Sequence, residues 1–191
     1  EQVGISEELR AKHPKLPPQK YKLMENPFQP GDLLCCIPVP DIDVALIHVQ
    51  KAAPDGTCRI EGAVFNDLDM ALGCRHVIIS CEELASAEEL RREPGLNQIS
   101  CIIPDAVVLA PYGAHPSQVS GYYDYDRAFL TEYDRAGRDD GLFELFLDQW
   151  VRRPRDHYAY LEQLGIKRLL DLRIRPGMNI AVPEDTGGED G

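Results

Sequence analysis

Val44-Ala45-Leu46-Ile47-His48-Val49 is an almost unbroken apolar run with one histidine near its end. Runs of about four to eight such residues predict strands of a parallel sheet, where both faces are covered and polar alternation is not needed. Two similar runs follow, His76-Val-Ile-Ile-Ser-Cys81 and Ala106-Val-Val-Leu-Ala110. Between them Asn66 to Leu72 reads as a short helix, and Ser86-x-x-Glu89 is a capping box opening another through Arg92. Strands interleaved with short helices predict an α/β fold: an open, mostly parallel sheet with flanking helices. Pro54-Asp55-Gly56 predicts a turn, after which Thr57 to Ile60 returns as a hairpin partner. Leu33 to Ile37, bounded by Pro30-Gly31 and Pro38, is a further strand signal, and Leu169 to Ile174 reads as the final strand.

After residue 125 the period changes. Asp126 predicts the cap of a helix running to about Ala136. Leu142, Phe143, Phe146, Leu147 and Trp150 recur at helical spacing. Asp156 predicts the cap of a third helix through Leu164, with Gly165 where a terminating glycine belongs. Three segments result: a proline-rich connecting arm over 1–31 with one short helix near Glu7 to Lys12, an α/β domain over 32–178, and an acidic disordered tail over 179–191.

Composition excludes several classes. A chain of 191 residues, 43% hydrophobic and 27% charged, has the profile of one globular domain. Twenty Lys and Arg against 32 Asp and Glu leave a net charge of −12, which disfavours nucleic acid and anionic membrane as partners. No apolar run approaches the roughly 18 residues of a membrane span, and no basic-then-apolar leader is visible. The chain opens on Glu1, so a processed product or a piece of something longer is expected. The six cysteines, Cys35, Cys36, Cys58, Cys74, Cys81 and Cys101, have no C-x-x-C spacing. They read as reduced core thiols in a cytoplasmic protein, with no metal site expected.

No phosphate-binding glycine loop and no G-x-S-x-G elbow occurs. His48 ends a strand, where α/β sheets hold ligands; the competing reading, which the usual burial of histidine favours, is a hydrogen-bonded core residue. Glu82 and Glu83 share that position and read as a solvated approach to the next helix. The densest stretch is Pro111-Tyr-Gly-Ala-His-Pro-Ser-Gln118, followed by Gly121-Tyr-Tyr-Asp-Tyr-Asp126. It is a loop after a buried strand, and Tyr112, Gly113, His115, Ser117 and Gln118 are its candidate substrate or interface residues. An aromatic packing loop explains the same residues equally well.

Asp43-Val-Ala-Leu-Ile-His-Val-Gln50, Ala53-Pro-Asp-Gly-Thr57, Asp105 to Ser117 and Gly121 to Asp126 resemble the A subunits of class I CoA-transferases of the glutaconate type. Glu25 to Gly31, Arg91-Arg92-x-Pro94, and Asp156-His157 with Tyr160-Leu161 extend the likeness. The resemblance implies roughly the last three-fifths of such a subunit, without the family's glycine-rich N-terminal loop. It implies that the nucleophilic glutamate lies in an E-x-G motif of a partner B subunit. Glu61-Gly62 lacks that spacing, so no catalytic residue falls in this chain. It further implies transfer of CoA between an acyl-CoA and a carboxylic acid, glutaconate or a similar dicarboxylate, through a glutamyl-CoA thioester. Coenzyme A is then a substrate, and no cofactor is held permanently. The alternatives are a hydrolase of the same fold and a non-catalytic subunit.

Overall fold

The computed structural model describes residues 6–12, 19–39 and 41–175. Thirteen helices and strands are numbered by type in chain order: α1 (Glu7–Lys12), β1 (Lys22–Glu25), β2 (Leu33–Cys36), β3 (Ile42–Ala52), β4 (Cys58–Arg59), α2 (Asp67–Gly73), β5 (Cys74–Leu84), α3 (Ala87–Arg91), β6 (Ala106–Leu109), α4 (Arg127–Ala136), α5 (Asp140–Leu147), α6 (His157–Leu164) and α7 (Ile166–Leu172).

The sheet has the order β4-β3-β5-β6. β3 pairs with β5 in parallel over its whole length, from Ile42↔Cys74 to Ala52↔Leu84. β5 pairs with β6 in parallel, and β4 returns antiparallel to β3 as a hairpin. The apolar runs thus form the mixed, largely parallel sheet that their composition predicts. Their cover is one-sided among the described residues. Ala45, Ile47 and Val49 on β3, with Val77, Ile79 and Cys81 on β5, pack into one core with Ala71 of α2, Cys58 and Ile99. The alternate residues Val44, Leu46 and Ile78 are 44%, 74% and 37% exposed. The runs are apolar on both faces, as for a strand covered twice, but among the described residues the amino half of the second face is left exposed.

β1 and β2 form a separate antiparallel ribbon, Lys22↔Cys36 to Glu25↔Leu33. Residues 22–25 lie within the segment read as a connecting arm, so that segment carries a strand of its own. The tail at 179–191 lies outside the described residues.

A second core belongs to the helices. Phe129, Phe146, Trp150, Leu164 and Leu169 pack together, with Phe129 edge-on to Phe146 at 5.5 Å and to Trp150 at 4.9 Å. Asp126, Asp139 and Asp156 each accept a backbone N–H at the start of a helix, from Phe129, Leu142 and Ala159. α5 continues into a π-helical turn, Asp148–Arg152. The predicted strand at Leu169–Ile174 is instead the end of α7, followed by a single bridge from Arg173 to Tyr123. A short apolar run is ambiguous between strand and helix. Here Leu169 faces the helical core, and Gly165, at φ +87°, starts a new helix rather than a strand. Among the described residues no helix is long and apolar enough to cross a membrane.

Candidate functional site

The register of β3 on β5 sets His48 opposite Ser80. Both side chains, with Glu82 two residues on, therefore share the sheet face whose amino half is the exposed Val44–Leu46–Ile78 surface. At the carboxyl half this face is polar and covered. His48 Nδ1 lies 2.8 Å from Ser80 Oγ, and His48 Nε2 lies 2.7 Å from Glu82 Oε1. The same Glu82 oxygen accepts the Tyr123 hydroxyl at 2.9 Å, and Oε2 accepts the Tyr112 backbone N–H at 2.8 Å. The sequence alone reads Glu82 as solvated beside Glu83. The structure separates the two by strand alternation: Glu83 is exposed, while Glu82 is 6% exposed.

The loop following β6 closes over this network. The Ala110 N–H bonds to Cys81 O, so the loop leaves from beside the end of β5. Tyr112 adopts φ +58°. Its hydroxyl donates to Leu169 O at 3.0 Å, tying the loop to α7, and its ring stacks on Tyr123 at 4.7 Å. Gly113 has no room for a side chain, because a Cβ there would meet Ala110 O and His48 Cε1, each at 2.7 Å. The Tyr123 hydroxyl also accepts the Ala114 N–H. Burial pushes the Tyr123 phenol above its ordinary range, with the Glu82 charge adding to the effect.

His115 turns away from this network. Its side chain is wholly buried, with Nδ1 2.6 Å from the Tyr160 hydroxyl and Nε2 3.0 Å from Asp126 Oδ2. Asp126 is also clamped by Arg168 through both carboxylate oxygens. Burial lowers the His115 pKa, against the opposing pull of Asp126. Burial also works against the charge of Asp126, but hydrogen bonds from Arg168, His115 and the Phe129 N–H prevail and hold its carboxyl at about 2.

A groove of about 1060 Å³ opens at the carboxyl ends of β3 and β5. Lys51, Glu82 and Glu83 line its sheet side, Leu170 and Arg173 its α7 side, and Tyr112 lies between them. Of the residues singled out in the sequence, Tyr112 lines the groove, and His48 and Gly113 lie against each other behind it. His115 is in the same loop but in a different network, and Ser117 and Gln118 are exposed outside the groove lining. Glu82, Tyr122 and Tyr123 complete the site. The signal for Glu82 was its even spacing from Ser80 at a strand end, which puts it on the His48 face. Among the described residues no group of three or more His, Cys, Asp or Glu side chains is placed to hold a metal, and all six cysteines are free.

Over 175 residues the chain is 49% identical to the A chain of glutaconate CoA-transferase of Acidaminococcus fermentans, covering 92% of this chain and 55% of that protein. The crystal structure of glutaconate CoA-transferase from that organism superposes with a TM-score of 0.86 at 47% identity, over 93% of this chain and 56% of the matched one. The chain is homologous to CoA-transferase A subunits. It spans about half the length of the curated relatives that it matches. The A subunit of 3-oxoadipate CoA-transferase of Pseudomonas knackmussii is 31% identical over 80% of this chain and 52% of its own. The cholesterol ring-cleaving hydrolase IpdA subunit of Rhodococcus jostii is 25% identical over 74% of this chain and 47% of its own. No protein-family model matches. The homology to CoA-transferase A subunits spans both the sheet and the helical core, so the groove between them lies within the matched region.

Proposed function

We propose that this chain contributes the groove-bearing part of a CoA-transferase A subunit, working with a B subunit that supplies the nucleophile. The observation that carries this reading is the 49% identity to an A subunit over 92% of the chain. In the proposed reaction a partner glutamate carboxylate attacks the acyl-CoA thioester carbon, and the CoA thiolate leaves. The thiolate then attacks the glutamyl carbonyl of the resulting anhydride, releasing the acyl group as its carboxylate. A second carboxylic acid takes CoA from the glutamyl thioester by the reverse steps. Covalent relay splits one difficult transfer into easier ones and gives ping-pong kinetics. The substrate is glutaconate or a similar dicarboxylate. The groove at the strand ends receives part of the substrate or of CoA, consistent with where open α/β sheets hold ligands. Free thiols agree with a reducing, cytoplasmic setting.

The test is CoA exchange between an acyl-CoA and a free acid, with the chain inside a full-length A subunit paired with a B subunit. Exchange is expected from the pair and not from this chain alone. Borohydride added with acyl-CoA is expected to trap the thioester and inactivate the pair, with the modified glutamate on the partner. Mapping of that modification to Glu61, Glu82 or Glu83 refutes the division of labour. Release of free CoA without any acceptor acid selects the hydrolase reading that the likeness to the ring-cleaving enzyme raises.

A further inference from the structure

Glu82 is a carboxylate with a side chain only 3% exposed. Three separate segments aim at it: His48 from β3, the Tyr112 N–H from the loop after β6, and the Tyr123 hydroxyl. A buried charge of this kind gains little over a well-packed apolar side chain if stability alone is at stake. Its partners say what else it does. Tyr112 sits at φ +58°, a conformation that is unfavourable for a non-glycine residue and persists only where surroundings impose it. Glu82 Oε2 imposes it from the amide side. The His48 ring, itself bonded to Glu82, fills the space beside Gly113. Tyr123, bonded to Glu82 by its hydroxyl, supports the face of the Tyr112 ring. The amide bond and the ring stack hold Tyr112 itself, and His48 packs beside its neighbour Gly113, so all three bear on the loop that enters the groove between the sheet and α7.

We infer that Glu82 is a positioning residue: it holds Tyr112 in the left-handed conformation that sets the shape of the groove, and so governs substrate binding without touching the reacting atoms. This rests on the reading of the groove as a CoA-transferase substrate site.

The experiment compares Glu82→Gln and Tyr123→Phe with wild type in the assembled A/B pair. Glutamine keeps the shape of Glu82 but turns an amide N–H₂ toward donors that need an acceptor. Exchange of the Tyr112 amide hydrogen is expected to quicken in Glu82→Gln, and less so in Tyr123→Phe, which leaves the Tyr112 N–H bond to Glu82 in place. KM for the acid is expected to rise roughly 10- to 150-fold, the range for losing a hydrogen bond to a charged group. At saturating substrate, formation of the borohydride-trapped thioester is expected to stay near the wild-type rate. A lower melting temperature with unchanged exchange and unchanged KM overturns the inference, since a merely structural carboxylate behaves that way. If Glu82→Gln fails to assemble, the same two readouts on Tyr123→Phe decide. If wild type transfers no CoA, the functional reading fails, and the exchange rate of the Tyr112 amide alone then decides whether Glu82 holds Tyr112.

Discussion

His115 and Gly113 are neighbours with different physics. Burial lowers the pKa of His115 in the fold, which fixes a pH signature. In the unfolded chain it takes a proton as pH falls through its ordinary value of 6.5, whereas the folded state resists, so its contribution to stability falls below that pH. Asp126 acts lower down. Its folded carboxyl sits at about 2 against an ordinary 3.8, so its stabilisation is complete above 3.8 and is lost as pH falls toward 2. That loss is on the order of 2 kcal/mol. Urea unfolding followed from pH 7.5 to 5 is expected to show a slope that His115→Gln flattens; equal slopes would mean that His115 titrates alike in the folded and unfolded chain. Gly113→Ala is expected to destabilise by about 1–3 kcal/mol through overpacking against His48 and the Ala110 carbonyl. Gly165→Ala is expected to cost a similar about 1–3 kcal/mol for a different reason: nothing crowds its Cβ, but φ +87° and ψ 144° are open essentially to glycine alone. Partial relief of the Gly113→Ala defect by His48→Ala, which leaves the clash with the Ala110 carbonyl, and no relief of Gly165→Ala would separate the two mechanisms in a thermal melt.

Helix starts were the most legible elements. Asp126 and Asp156 cap where a side-chain acceptor precedes an apolar stripe, because the orphan N–H groups of a first turn need a local partner, and local chemistry is written in sequence. Asp156→Ala is expected to lower stability by about 0.5–2 kcal/mol, measured by denaturant midpoint at constant m-value. Segments decided by tertiary contact were not legible. Leu169 to Ile174 is apolar enough for strand or helix, and only packing of Leu169 against the helical aromatics resolves it. β1 at Lys22–Glu25 has no alternation to announce it and is a strand because β2 lies beside it. The site divides in the same way. Tyr112 and Gly113 stood out as loop residues beyond a strand. Glu82 did not, because Glu82-Glu83 looks like a charged, solvated pair until the sheet assigns one member to each face.

Across the whole molecule, charge and apolar surface are distributed unequally. The exposed apolar residues of the sheet, Val44, Leu46, Ile78 and Val108, lie on one face, opposite the main core. Contiguous apolar surface of this kind binds apolar dyes and favours association. The chain by itself is expected to bind anilinonaphthalene sulfonate, and Leu46→Lys with Val44→Lys is expected to reduce that binding and raise solubility with little change in melting temperature. Unchanged dye binding would place the accessible apolar surface elsewhere. The parallel pairing of β3 with β5 keeps one offset along its full length, and this has a consequence for how the gene can change. A single codon inserted within β3 would exchange the two faces of everything beyond it, burying His48 where Val49 belongs. The same codon inserted after Phe65, an exposed residue of the connection to β5, would leave both strands in step and cost only a slightly longer loop. Length variation among homologues is therefore expected in that connection and not in the strands, as sequencing of related genes can check.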